Sequence, residues 1–142
     1  LVDDFTDSLW VFDLALLPDA TDSEEVVDDS DFVVAVIPVG REPTGLIVDS
    51  DNNRAYVSNA TDDTISVIDT SAFVELAQIP VDDDNISTSF VRGVSAPLAL
   101  ALGDFDGTRY LIVTGFNSNA VALVRTETLE VVEVFPNNEL SL

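Results

Sequence analysis

The sequence predicts an all-β fold made of a repeated antiparallel unit. Three observations indicate this. Short runs rich in β-branched and apolar residues alternate with turn residues. The chain matches itself at one fixed offset, which carries Ala55 onto Leu111 and which we call the repeat shift, and an Ile-Pro-Val motif recurs at a shorter interval. Helix signals are nearly absent.

The repeat relates three stretches of the chain. Residues 55–80 align with residues 111–136 at the repeat shift, and residues 8–13 align with residues 64–69 at the same shift. The Ile-Pro-Val motif at residues 37–39 recurs at residues 79–81. That shorter interval falls within the range of about 40–45 residues that is typical of one four-stranded propeller blade.

Each complete copy contains four predicted strands in meander order. The pattern predicts strands over residues 45–48, 54–58, 64–69 and 74–79, then over residues 98–102, 110–114, 120–125 and 129–135. Residues 49–53 and 104–107 carry the Asp, Asn and Gly of tight turns and join the first two strands of each copy. We expect Tyr56 and Tyr110 to pack between blades.

These units predict a β-propeller segment of about two and a half four-stranded antiparallel blades. The expected divisions are a partial blade at residues 1–42, a complete blade at 43–81, an inserted acidic loop at 82–93, and a complete blade with a tail at 94–142. The partial blade is expected to hold only its last two strands and an acidic insertion at residues 14–31. Propellers typically close with four to eight blades. We therefore expect the partners to be other blades, either the remainder of a longer chain or further copies of this one.

Two stretches of the first complete copy carry a family resemblance. Residues 43–46 read Pro-Thr-Gly-Leu, and residues 54–59 and 64–70 read Arg-Ala-Tyr-Val-Ser-Asn and Thr-Ile-Ser-Val-Ile-Asp-Thr. They resemble the YVTN repeat of surface-layer and lactonase-like secreted β-propellers. The resemblance implies a propeller fold and an extracellular, cell-surface or periplasmic location.

Composition limits the chemistry. With 27 acidic residues against 5 basic ones the net charge is −22, which argues against binding nucleic acid or an anionic membrane and suits a halophilic or marine source. No Cys, His or Met is present, so thiolate and imidazole chemistry is excluded from this segment. No stretch is apolar enough for membrane insertion. The sequence offers no catalytic residue and no organic cofactor site.

Two kinds of site remain as predictions. Carboxylate and amide oxygens suit Ca²⁺, and the candidate ligands on the acidic loops are Asp62, Asp63, Asp82, Asp83, Asp84 and Asn85. The alternative is a solvated acidic surface. Asn59 and Asn85 begin glycosylation sequons and are expected in exposed loops.

Two functions follow from this sequence. The first is an extracellular structural or interaction scaffold, with cation binding on its acidic loop face as a further expectation. The alternative is a fragment of a lactonase-like or redox-associated propeller enzyme whose catalytic residues lie outside this chain.

Overall fold

The computed structural model describes residues 1–16, 32–82, 93–118 and 120–136. These residues form three antiparallel sheets joined by turns, with short 3-10 turns at Leu14–Leu16 and Ser50–Asn52. No helix in the described part of the chain is long and apolar enough to span a membrane. The all-β prediction is confirmed.

The described residues contain eleven strands, which fall into three sheets in chain order. Sheet 1 contains β1 (Val2–Asp3), β2 (Ser8–Phe12) and β3 (Val33–Pro38). Sheet 2 contains β4 (Pro43–Asp49), β5 (Arg54–Asn59), β6 (Thr64–Asp69) and β7 (Val74–Pro80). Sheet 3 contains β8 (Pro97–Phe105), β9 (Thr108–Gly115), β10 (Ala120–Arg125) and β11 (Glu130–Pro136).

All eight strands predicted for the two complete copies are present, with bounds that differ by a few residues. β8 continues to Phe105 because the turn needs only Asp106 and Gly107, which both take positive φ angles of 50° and 74°. The expectation of only two strands in the first copy is wrong. Val2 and Asp3 pair with Leu9 and Ser8 and add β1 as a third strand.

The three sheets repeat one another down to their irregularities. The last two strands of each sheet slip by one residue at the same place, between Val11 and Phe12, Val67 and Ile68, and Leu123 and Val124. These positions are related by the repeat shift. A bulge in each sheet at one register position shows that the sequence repeat is a structural repeat.

The core lies between the sheets. One cluster joins sheets 2 and 3 and includes Tyr56, Ile65, Val67, Leu111, Val113 and Val124, each 0% exposed. A smaller cluster joins sheets 1 and 2 and includes Leu9, Ile37, Ala55, Val57 and Ile68. Burying one such aliphatic side chain contributes about 1.5–3 kcal/mol. Sheet 2 is therefore held on both faces.

Within the described part of the chain, only one face of sheet 3 is covered by other residues. On β9, Leu111 and Val113 are buried against sheet 2, while the alternate residues Tyr110 and Ile112 are partly exposed. Side chains alternate across a strand, so the even-numbered positions of β9 point away from the rest of the molecule. Tyr110 thus does not lie between two described sheets, as Tyr56 does. The outward face of sheet 3 is formed by Tyr110, Ile112, Val121, Leu123 and Phe135.

Candidate functional site

A groove opens between sheets 2 and 3 where the chain crosses from one sheet to the next. Its cavity measures about 470 Å³, and Glu42, Thr61, Asp63, Ala96 and Phe116 contribute to its lining. We call this side of the molecule the loop face. Phe116 is 75% exposed there, next to polar and acidic side chains.

Asp63 closes the crossing from sheet 2 to sheet 3. Its Oδ1 accepts hydrogen bonds from the backbone N–H of Ala96 at 2.7 Å and from the Ser95 hydroxyl at 3.3 Å. Its carbonyl oxygen accepts the N–H of Val81 at 2.9 Å. This carboxylate therefore fastens the start of β8 to the turn that precedes β6.

Asp7 does the same between sheets 1 and 2. Its Oδ1 accepts the N–H of Glu42 at 2.9 Å, and its carbonyl oxygen accepts the N–H of Val39 at 3.0 Å. Asp7 and Asp63 are related by the repeat shift and both have positive φ angles, 50° and 53°. Asp is one of the few residues that tolerate this conformation. The repeated Asp is a structural clamp between successive sheets.

Asp62 is engaged by Arg41. The carboxylate accepts the Arg41 backbone N–H at 2.8 Å and the guanidinium Nε at 2.6 Å. The backbone hydrogen bond and then the guanidinium hold the pKa of Asp62 below its usual value. Glu42 is also engaged, since its Oε2 accepts the Thr61 hydroxyl at 2.6 Å.

Asn59 is not in an exposed loop, and that expectation is wrong. It ends β5 with 0% exposure, and its Nδ2 donates to Thr64 Oγ1 at 3.0 Å and Ser66 Oγ at 2.9 Å. A Cβ at Gly40 would lie 2.6 Å from the Asn59 side chain, so a glycine is required beside it. The amide nitrogen that a glycan would need is enclosed in the fold.

The predicted metal ligands that the structure describes, Asp62, Asp63 and Asp82, do not form a common metal site. Asp62 contacts Arg41, and Asp63 contacts Ser95 and Ala96. Asp82 is described and exposed, whereas Asp83, Asp84 and Asn85 lie outside the described residues. Within the described ranges, no three Asp or Glu side chains are close enough to hold a metal ion.

The opposite side of the molecule carries an ionic cluster that the sequence reasoning missed. Arg109 of β9 donates to Asp49 at 2.6 Å, Asp51 at 2.9 Å and Asp104 at 2.9 Å. The Asp49 side chain is 0% exposed. Because Asp49 and Asp51 belong to sheet 2 and its turn, Arg109 ties sheet 3 to sheet 2. The repeat does not mark this residue, since Arg109 aligns with Asn53 at the repeat shift.

These ion pairs favour ionised carboxylates. Burial alone would raise the pKa of Asp49, but hydrogen bonds from Asn52 and Arg109 outweigh it, and the net effect lowers the pKa. The hydrogen bond from Arg109 likewise lowers the pKa of Asp104. The three carboxylates raise the pKa of Arg109. The cluster is built to stay charged.

The outward face of sheet 3 is the second distinctive surface. Tyr110, Ile112, Leu123 and Val132 line an open cavity of about 480 Å³ there, and Phe135 is 50% exposed. At the repeat shift, Ile112, Leu123 and Phe135 correspond to Tyr56, Val67 and Ile79, which are all buried against sheet 3.

Comparison with known proteins identifies the fold. The sequence matches no protein-family model and no curated protein. Among solved structures, hydrazine synthase from Kuenenia stuttgartiensis superposes with a TM-score of 0.55 at 22% identity. That match covers 74% of this chain and 26% of the other. AztD from Citrobacter koseri superposes with a TM-score of 0.55 at 14% identity, covering 94% of this chain and 30% of AztD.

The fold is that of a β-propeller. A second AztD structure, the apo form, agrees with a TM-score of 0.54 at 16% identity, over 78% of this chain and 27% of that one. The chain spans 26% to 30% of the length of the structures it matches. At these identities the likeness concerns architecture alone.

Proposed function

We propose that this chain forms consecutive blades of an extracellular β-propeller of the YVTN-repeat kind, which serves as a structural or interaction scaffold. The observation that supports it best is the outward face of sheet 3. At Ile112, Leu123 and Phe135 this surface repeats apolar positions that sheet 2 buries against sheet 3, and Arg125 and Glu133 border it.

Strand pairing in sheets 2 and 3 places the corresponding residues opposite each other in the same way. In sheet 2, Tyr56 on β5 pairs with Val67 on β6. In sheet 3, Ile112 on β9 pairs with Leu123 on β10. Both pairs are apolar, and the first pair is fully buried by its neighbouring sheet. Exposed contiguous apolar patches of this kind mark interaction surfaces. A further blade is the partner that this face fits.

Three of the described carboxylates have the character of structural groups rather than of an acid or base catalyst. A catalytic carboxyl that exchanges protons near neutral pH needs a raised pKa. Asp49, Asp62 and Asp104 instead have lowered pKa values because hydrogen bonds stabilise their charged forms. Each of these residues joins two segments of the chain, so its contacts explain its presence without a reaction.

The proposed extracellular location follows from the YVTN-like residues 43–70 and from the net charge of −22. A strongly acidic surface keeps a protein soluble, particularly where high salt screens the repulsion between its charges. The proposed binding of Ca²⁺ draws on the acidic loops that carry Asp62, Asp63, Asp82, Asp83, Asp84 and Asn85; the carboxylates of Asp62 and Asp63 also accept hydrogen bonds from neighbouring segments.

Dye binding tests the outward face of sheet 3. Nile red is uncharged, so the acidic surface does not repel it, and it should bind the wild-type chain with blue-shifted emission. Leu123→Asp should reduce this signal several-fold. Phe116→Asp is the matched control, since Phe116 is exposed on the loop face instead. Equal signals from wild type and Leu123→Asp would contradict the proposal.

Hydrolysis of lactones by the purified chain would contradict the scaffold role.

A further inference from the structure

The groove on the loop face is open and already formed. It lies between two four-stranded sheets, and its lining residues fall between Glu42 and Asn117. Thr44 Oγ1 donates to the Pro97 carbonyl oxygen at 2.9 Å, which joins the two walls of the groove. Its volume of about 470 Å³ lies within the range of roughly 300–1,000 Å³ that is typical of small-molecule sites.

The groove combines unused carboxylate oxygens with apolar surface. Glu42 Oε2 accepts the Thr61 hydroxyl, and Asp63 Oδ1 accepts two hydrogen bonds from the start of sheet 3. Within the described part of the chain, no donor lies on Glu42 Oε1 or Asp63 Oδ2. Phe116 and Leu98 line the same groove and are 75% and 46% exposed. None of the described lining residues is basic.

The first crossing, from sheet 1 to sheet 2, shows how this chain balances negative charge at such a place. The Thr61 N–H donates to the Arg41 carbonyl oxygen at 3.3 Å, and the Asn117 N–H donates to that of Ser95 at 3.4 Å. Arg41 and Ser95 therefore occupy equivalent positions. The Arg41 guanidinium pairs with Asp62 at 2.6 Å. Because Ser95 is uncharged, the position that supplies a cation at the first crossing supplies none at the second.

Phe116 also departs from the repeat. The repeat shift relates it to Ala60, and both residues donate their N–H groups in the same way, to the carbonyl oxygens of Ala96 and Glu42. A small side chain therefore satisfies the fold at this position, and Phe116 belongs to neither buried core cluster. An aromatic face attracts a cation that lies within about 6 Å of the ring centre. The exposed ring and the carboxylates thus favour the same class of ligand.

We infer that the groove binds a small organic cation of the alkylammonium class. The ammonium N–H groups donate to the unused oxygens of Glu42 and Asp63, and the alkyl stem packs against Phe116 and Leu98. The bound ammonium takes the part that the Arg41 guanidinium has at the first crossing. A free amine and the lysine side chain of another protein both present this group. The groove shares no lining residue with the cavity on the outward face of sheet 3, so the two surfaces can be tested separately.

An NMR titration of the isotope-labelled chain with n-pentylammonium tests this inference. Molar salt shortens the Debye length to about 3 Å and suppresses general attraction to the acidic surface. Saturable shifts are expected at the amides of Ala96, Phe116 and Asn117. Pentanol, which has the stem without the charge, and methylammonium, which has the charge without the stem, should each bind about tenfold more weakly. Tighter binding of N-acetyl-lysine amide than of pentylammonium would identify a lysine side chain as the ligand, and weaker binding would identify a free amine.

Variants with matched controls locate the ligand. Phe116→Ala should weaken pentylammonium binding about fivefold, whereas Phe105→Ala should not, because Phe105 is 76% exposed at the opposite end of β8. Glu42→Gln keeps an acceptor for Thr61 but removes the charge, and it should weaken binding by a similar factor. Glu75→Gln, on exposed β7 surface, is its control.

Three results would overturn the inference. The first is a wild-type affinity in Phe116→Ala, because carboxylates alone would then attract any cation. The second is binding of pentanol as tight as that of pentylammonium. The third is a set of shifts that spreads over the acidic turns of all three sheets without saturating.

Discussion

The contrast between Val67 and Leu123 gives a quantitative prediction. The two residues occupy equivalent positions on β6 and β10. Val67 is 0% exposed between sheets 2 and 3, whereas Leu123 is partly exposed on the outward face of sheet 3. Truncating each to Ala measures how strongly each face is packed in the isolated chain.

The expected costs run opposite to the sizes of the deletions. Val67→Ala removes two methyl groups from a closed core, which costs about 0.8 kcal/mol per group plus a cavity term, or about 2–3 kcal/mol in all. Leu123→Ala removes more carbon atoms, but they already contact water in part and leave no enclosed cavity. We expect its cost to be about 1 kcal/mol or less.

Urea unfolding measures both costs. The chain contains a single tryptophan, Trp10 in sheet 1, so its fluorescence and the circular dichroism of all three sheets should give coincident transitions if unfolding is two-state. The titration is run at a protein concentration where the chain is monomeric, since association would bury Leu123. A cost for Leu123→Ala equal to that for Val67→Ala would refute the open face of sheet 3.

Three further predictions concern the polar contacts. Asp63→Ala should lower the free energy of unfolding by about 1–2 kcal/mol in urea titrations, because two donors lose their acceptor. Arg109→Gln should lower the thermal midpoint at pH 7. The folded-state pKa values of Asp49 and Asp104 lie below the ordinary 3.8, so this difference should shrink as the pH falls below about 4. Calcium at millimolar concentration should raise the thermal midpoint of the wild-type chain, whereas a flat response would contradict the cation site.

Strand positions were predictable because local signals determine them. Alternating apolar residues and Asn, Asp or Gly turns specified both complete sheets, and the repeat shift placed them in register. β1 was missed because a two-residue strand with a polar residue carries no periodic signal. Its only sequence evidence is that the repeat shift carries Val2 and Asp3 onto Ser58 and Asn59.

The roles of individual polar residues were less predictable. The sequence places Asp63 in an acidic loop whose carboxylates suit a cation. In the structure, the Asp63 carboxylate instead accepts a hydrogen bond from the segment that leads into the next sheet. The same shift that relates Asp63 to Asp7 could have indicated a structural role. Arg109 could not have been found this way, since its partners Asp49 and Asp51 meet it only through the packing of sheet 3 on sheet 2.

Light scattering of the 15.3 kDa chain, at low salt and at molar salt, tests the central claim most directly. If the outward face of sheet 3 is a blade-packing surface, molar salt should screen the net charge and raise the native mass above that of one chain. Leu123→Asp should restore the mass of a single chain at the same salt. A mass of 15.3 kDa for both proteins under both conditions would contradict the claim that this face is built to receive another blade.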